Sequence, residues 1–195
     1  TGPALMVFHH SLATYDSFLL GVEVFEETGR FIRGLGDDRL FQAPRLRELA
    51  LDVGIVPASP TAGGELLSEG ELVGVAPGGM WEALRPRSER FQTRWQDRRG
   101  FCRLALRSQV PLLFAATPRA DEMYEVYGNP LTDKIYRRLH LPIPLVRGLG
   151  PTVLPRPVKL TSYVSAPLPV PPHDPEREEA QIGALHAEAT RIMET

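Results

Sequence analysis

Two adjacent histidines, His9 and His10, directly follow the apolar run Ala4–Phe8, and an aspartate, Asp16, lies six residues beyond His10. An imidazole held in one tautomer by a carboxylate can take a proton from a hydroxyl or thiol near neutral pH, so the pair has the composition of a general base. An apolar run this short reads as a buried strand. Open α/β sheets place their sites just outside the carboxyl ends of their strands, which is where these histidines would fall. The competing reading is a surface histidine and an aspartate that caps the next helix.

A second group sits at residues 75–84, where a strand runs into Pro77, Gly78 and Gly79 and then Glu82. Glycines leave backbone N–H groups uncovered, so the turn could approach an oxyanion or a phosphate. It could equally be a plain strand-to-helix turn. The third group is residues 85–107, in which eight arginines stand against Glu89 and Asp97 for a formal charge of +6 in a chain of −2. Arg87, Arg90, Arg94 and Arg98 are spaced to share one helix face, which predicts a basic stripe. Such a stripe suits a nucleotide phosphate or anionic lipid headgroups, and Phe91 and Trp95 between the arginines would suit RNA. The alternative is a solvated face paired with acidic neighbours. Cys102 falls beside the apolar side of a predicted helix and reads as packing, and His140, His173 and His186 read as solvated. There is no Gly-x-Ser-x-Gly elbow, His-Glu-x-x-His, Walker loop or complete dinucleotide fingerprint, since Gly34 and Gly36 lack the third glycine.

The elements that must hold these groups alternate. Helices are predicted over residues 17–27, with Phe18, Leu19, Val22 and Phe25 as the apolar positions, over 45–53, from 65–68 to Gly70, and over 98–108. Strands are predicted at 4–8, 55–56, 72–76 and 111–116, and this succession implies a mostly parallel sheet in an αβα layered α/β fold. Residues 141–157 are dense in Pro and Gly and read as a long loop or hairpin flanks; 158–164 alternates like a strand; 166–175 is Pro-rich. Residues 176–193 form an amphipathic helix with Ile182, Leu185, Ala189, Ile192 and Met193 on one side. The expected organisation is one domain over 1–175 with a C-terminal helix, 176–195, packed on it.

The 195-residue chain is long enough to bury a core, and its net charge of −2 with a pI near 6.2 excludes a general nucleic-acid binder. A single cysteine excludes an intrachain disulfide framework and an all-cysteine metal cluster. No apolar run approaches the roughly 18 residues of a spanning helix. The chain starts at Thr1 without a methionine and reads as an excised domain or partial product.

Taken in order, these pieces resemble the glycerolipid acyltransferase superfamily, whose members carry a His-x4-Asp motif and a later Pro-Glu-Gly or Pro-Gly-Gly motif. They are most similar to its diacylglycerol acyltransferase-like branch and the transmembrane-protein-68-like relatives. The specific part is the phrase Ala-Pro-Gly-Gly-x-x-Glu-Ala-Leu at residues 76–84, supported by the phrases at 98–106, 110–113 and 158–169. The resemblance spans roughly residues 4–172. It implies a glycerol-3-phosphate acyltransferase-like αβα fold and an acyl-CoA-dependent O-acyltransferase with no metal and no bound cofactor, acyl-CoA being a co-substrate. His10 would be the base, Asp16 would orient it, His9 would be the fallback base, and Pro77, Gly78, Gly79 and Glu82 would lie at the substrates. Arg98 and Arg99, from the basic segment and not from the resemblance, would meet the phosphates of coenzyme A.

Two departures matter. His10 and Asp16 are spaced His-x5-Asp, which the transmembrane-protein-68-like relatives share. Phosphate-recognising relatives carry an arginine where this chain reads Gly54-Ile-Val-Pro-Ala-Ser59-Pro, so a neutral acceptor is expected: a mono- or diacylglycerol or a long-chain alcohol. The resemblance implies a cytoplasmic-face, membrane-associated protein, held peripherally or by a segment outside this chain, acting on a lipid acceptor and not on nucleic acid. Oligomeric state has no signal. The rivals are a non-catalytic acyl-lipid or acyl-CoA binding module of the same fold, an acyl-CoA thioesterase, and an RNA binder using residues 85–107.

Overall fold

The computed structural model describes residues 2–127 and 145–195. Its centre is β1 (Ala4–Phe8), five consecutive apolar residues that are all buried. A strand buried on both faces has no reason to alternate apolar with polar, and this one does not. β1 lies between β4 (Leu72–Val75) and β5 (Leu112–Ala116), parallel to both. β2 (Ile32–Gly36) and β3 (Ile55–Pro57) continue the parallel run beyond β4, and a two-residue β8 (Tyr163–Val164) pairs antiparallel with β5 at the other edge. The order is β3-β2-β4-β1-β5-β8. A separate two-stranded antiparallel ribbon joins β6 (Glu125–Tyr127) to β7 (Leu145–Arg147).

Alternate residues of the central strands face opposite layers. Leu5, Val7, Val73, Leu112 and Phe114 pack with Leu67 of α3 (Pro60–Ser68), Phe101, Cys102, Ala105 and Leu106 of α5 (Gly100–Ser108), and Ile182, Leu185 and Ala189 of α6 (Glu178–Met193). Ala4, Met6, Phe8, Leu72 and Ala115 form the other face with Leu20 and Val24 of α1 (Tyr15–Thr28). The fold is therefore α/β with a six-stranded, mostly parallel sheet between helices, as the spacing predicts.

Several local features depart from the sequence expectations. On α1 the residues turned inward are Leu20 and Val24, while Phe18, Leu19, Val22 and Phe25 are exposed. α3 starts earlier than predicted, at Pro60, because the Ser59 hydroxyl accepts from the Ala62 amide at 3.0 Å and caps it. β2 was not expected as a strand at all; its Gly34 and Gly36 leave room for Ile55 of the neighbouring strand, which a Cβ at Gly36 would approach to 2.7 Å. Only Tyr163–Val164 of the segment 158–164 is paired. Residues 85–98 are not a helix: a 3₁₀ turn at Arg87–Glu89 is followed by loop, and Phe91 and Gln96 take left-handed φ values of 67° and 51°. His140 and residues 141–144 lie outside the described residues.

Candidate active site at the carboxyl ends of β1 and β4

Because β1 and β4 are parallel neighbours, the residues that leave their carboxyl ends emerge side by side. His9, His10 and Ser11 follow β1, and Ala76 to Gly79 follow β4 and lead into α4 (Gly79–Ala83). The two histidines then part. His9 is buried, with Nδ1 3.1 Å from an Arg85 Nη2 and Nε2 3.3 Å from the Gln92 carbonyl. A guanidinium only donates and a carbonyl only accepts, so His9 accepts at Nδ1 and carries its proton on Nε2. Burial, and then the Arg85 charge, pushes its pKa down to about 4, so the ring is neutral at physiological pH. With both nitrogens engaged, His9 does not fit the role of fallback base.

His10 is only half-buried. Its Nδ1 lies 2.8 Å from the Ser11 carbonyl, which fixes the proton on Nδ1 and leaves the lone pair on Nε2. Among the described residues Nε2 has no hydrogen-bond partner. Burial, against the pull of the Ser11 carbonyl, holds the His10 pKa below its ordinary value.

Asp16 is buried at the start of α1, but its carboxylate meets the Ser11 hydroxyl and not the imidazole. Ser11 therefore stands between the two expected partners, accepting from His10 through its carbonyl and donating to Asp16 through its hydroxyl. Burial raises the Asp16 pKa, and the Ser11 hydroxyl and the Asp16 and Ser17 amides oppose the shift.

The Pro77–Gly79 turn is tightly built and is linked to this group through Glu82. A Cβ at Gly78 would fall within 2.5 Å of the Glu82 carboxyl carbon, so only glycine fits there. Gly79 adopts φ 52°, and its amide closes the turn onto the Ala76 carbonyl at 3.1 Å. The Gly78 amide has no protein partner among the described residues. Glu82, expected at the substrate, is instead fully buried. One of its oxygens accepts from the His10 amide and the other from the Arg94 amide, each at 3.0 Å. Burial pushes its pKa up against those two donors.

The arginines scatter where a stripe was expected. Arg85 is buried and bonds Asp121 through Nε at 2.8 Å and Nη2 at 3.1 Å; the same Nη2 reaches the His10 carbonyl at 2.8 Å. Arg90 donates to the Tyr124 carbonyl, and Arg94 pairs with Glu89 and lies over Trp81. Arg98 donates to the Pro77 carbonyl at 3.1 Å and to the Gly78 carbonyl, so it holds the turn from behind. Arg99 is exposed, 3.6 Å from Asp97, beside a surface groove of about 620 Å³ that Arg98, Gly100, Arg103 and Glu179 also line. Arg103 is engaged by Glu178 and Glu179.

Trp95 is in the core, so it offers no stacking face. His186 packs edge-on against Trp95, and His173 bonds Glu178 at 2.9 Å, so neither is simply solvated. Cys102 is wholly buried, its thiol pushed up to about 12 by desolvation, and serves packing. Ser11, Gln92, Arg85 and Asp121 were not singled out as site residues by sequence reasoning. Only Arg85 left a signal, its three-residue spacing from Glu82. Among the described residues no group of His, Cys, Asp or Glu is arranged to hold a metal, and no helix is long and apolar enough to cross a membrane.

Comparison with known proteins adds an independent line. The family model described as diacylglycerol acyltransferase matches residues 20–192. A human protein named "DGAT1/2-independent enzyme synthesizing storage lipids" is 31% identical over 183 residues, covering 92% of this chain and 54% of that protein. The bovine protein of the same name is 30% identical over 183 residues, covering 92% of this chain and 52% of its own. An uncharacterised protein of Mycobacterium tuberculosis is 34% identical over 158 residues, covering 78% of this chain and 44% of that protein. The chain thus spans about half the length of the curated relatives it matches. No solved structure matches.

Proposed function

The chain belongs to the diacylglycerol acyltransferase family, and we propose that it moves a fatty acyl group from acyl-CoA to a lipid hydroxyl, with His10 as the general base. The observation that carries this reading is the unpartnered Nε2 of His10, its lone pair set by the Nδ1–H bond to Ser11, in a residue whose amide is held by Glu82 of the helix that follows the Pro77–Gly79 turn. In the proposed step Nε2 takes the proton of the acceptor hydroxyl as its oxygen attacks the thioester carbonyl. The tetrahedral intermediate then expels the thiolate of coenzyme A, and the imidazolium returns the proton to that sulfur. A neutral imidazole is required at the start, which the lowered His10 pKa supports.

Asp16 acts on His10 through Ser11: its carboxylate holds the serine whose carbonyl holds the ring. The free Gly78 amide is the candidate donor to the oxyanion, since the Gly79 amide is used in the turn. Arg98 sets that turn, and Arg99 at its groove is left to meet the phosphates of coenzyme A. The missing arginine at 54–60 favours a neutral acceptor, a mono- or diacylglycerol or a long-chain alcohol, and the storage-lipid name of the mammalian relatives agrees with that. The apolar outer side of α1, with Phe18, Leu19 and Val22, supports peripheral contact with a lipid surface.

The test is thiol release from long-chain acyl-CoA on liposomes, with mono-olein, diacylglycerol, hexadecanol or lysophosphatidate as acceptor, beside His10→Ala. Acceptor-dependent release by the wild type, lost in His10→Ala, is the expected result. Equal release without acceptor would make the protein a thioesterase. Tight acyl-CoA binding without release would make it a binding module.

A further inference from the structure

His10 is gripped by its own peptide groups. Its N–H is held by a Glu82 oxygen at 3.0 Å and its carbonyl by Arg85 Nη2 at 2.8 Å. The two gripping side chains are themselves an ion pair, 3.6 Å apart, with side-chain exposures of 0% and 2%. Glu82 lies in the last turn of α4 and Arg85 two residues past its end, so one short stretch of chain supplies both jaws. Asp121 fixes the second jaw with two hydrogen bonds to Arg85, and it also accepts from the Phe91 amide at 3.1 Å. The first jaw is fixed by the Arg94 amide.

We infer that Glu82 and Arg85, backed by Asp121, are positioning residues that set the backbone of His10 so that its Nδ1–H meets the Ser11 carbonyl and its Nε2 faces the reacting hydroxyl. This rests on the reading of His10 as the base. Buried charged groups are costly to keep, and here each has a task that neutral side chains cannot perform. Glu82 presents an acceptor on both sides at once, to His10 and to Arg94; a glutamine would have to turn its NH₂ toward one of two N–H groups. Arg85 donates along several directions from one rigid plane, to Asp121, to the His10 carbonyl, to His9 and to Gln92. A lysine keeps the charge but not the fork. The same guanidinium occupies the acceptor nitrogen of His9, so one group keeps one histidine closed and places the other.

The test uses Glu82→Gln, Arg85→Lys and His10→Ala in the whole chain, with kcat and acyl-CoA KM normalised to folded protein. The nitrogen spectrum of the His10 ring, assigned against His10→Ala, gives a readout that needs no turnover. The wild type is expected to show His10 protonated at Nδ1 only. Glu82→Gln and Arg85→Lys are expected to show both tautomers and a kcat lowered about a hundredfold, as small misplacements of a reacting group cost, with KM within about twofold. If Arg85→Lys does not fold, Glu82→Gln, which is nearly isosteric, decides alone. Variants that melt earlier but keep the single tautomer and the kcat of wild type would reduce the pair to structural roles and overturn the inference, leaving His10 as the base. Turnover that survives His10→Ala would remove the reading itself, and with it the reason for the clamp.

Discussion

The pocket around His9 and the rim around His10 are one peptide bond apart, and they treat the same side chain in opposite ways. In the pocket both ring nitrogens are paired, with Arg85 and Gln92, and the ring is held neutral well below its ordinary titration range. At the rim one nitrogen is paired with the chain's own backbone and the other is open. The difference comes from where β1 stops. Past Phe8 the His9 amide makes a last bond to the sheet, at the Ala115 carbonyl of β5, and the chain then leaves it, so the ring of each histidine is placed by what the neighbouring loop offers. A histidine with both nitrogens engaged is structure; a histidine with one engaged is oriented and still able to take a proton.

The largest predicted effect follows from the open nitrogen. His10→Ala slows acyl transfer by about 10²–10⁴-fold, the usual contribution of a general base, while the melting transition moves little because the ring is only half-buried. In the wild type, transfer rises with pH through a pKa below the ordinary histidine value and is flat above it, since His10 must be neutral to act. A rate that falls as pH rises through that range would oppose the assignment.

Gly78→Ala comes next. Its Cβ would overlap the Glu82 side chain, so it should lower stability by about 1–3 kcal/mol on chemical denaturation and move the turn as well. An unchanged denaturation midpoint would show the turn to be looser than described.

His9→Leu removes one of three acceptors around Arg85 Nη2 and the imidazole donor to the Gln92 carbonyl, and should lower stability by about 0.5–1.5 kcal/mol, the net contribution of a hydrogen bond whose partners keep others. His9 also shapes the acid side of the stability curve. Its folded pKa lies near 4, below the unfolded 6.5, so the unfolded state binds more protons in that window. Its contribution is full above about pH 6.5 and declines as pH falls toward about 4. Asp16 and Glu82 are shifted the other way, so their effect runs opposite: stability they supply at low pH is lost as pH rises past their ordinary range. The contrast between wild type and His9→Leu isolates the histidine, and the gap between their stabilities should narrow as pH falls from 6.5 to 4. A gap that stays constant across this window would show His9 to be charged in the fold.

The smallest effect is expected at the outer side of α1. Phe18→Ser and Leu19→Ser remove exposed apolar surface and should leave stability within about 0.5 kcal/mol, read by the same denaturation curves. They should reduce recovery of the protein on liposomes, and full retention would place the lipid contact elsewhere.

What the sequence could reveal depended on range. β1, β4 and β5 are short apolar runs beside Gly or Pro, and a strand buried on both faces has no other appearance. α6 declared its inner side through Ile182, Leu185 and Ala189, which are all buried. β2 escaped because its sequence, Ile-Arg-Gly-Leu-Gly, has poor strand propensity; packing against Ile55 makes its glycines necessary. The predicted arginine helix failed because residues 85–98 are organised by partners far along the chain, such as Asp121 and the turn at Pro77, and not by their own periodicity. At the site, His10, Asp16 and the Pro-Gly-Gly turn were visible as residue types and spacing. Glu82 and Arg85 on the His10 peptide groups depend on contacts 72 and 75 residues apart, which no local pattern encodes. Ser11 as the intermediate is local, one and five residues from its partners, but it depends on how the loop after β1 turns and not on residue type or spacing.

The most direct test of this account exchanges the two histidines' fates. His9→Asn keeps an acceptor oxygen for Arg85, and His10→Asn removes the open nitrogen; acyl transfer from acyl-CoA to a lipid hydroxyl is then measured for both, per folded molecule. The account predicts that His9→Asn retains most of the wild-type rate and that His10→Asn loses about two or more orders of magnitude. A His10→Asn protein that still transfers, or a His9→Asn protein that folds and does not, would contradict it.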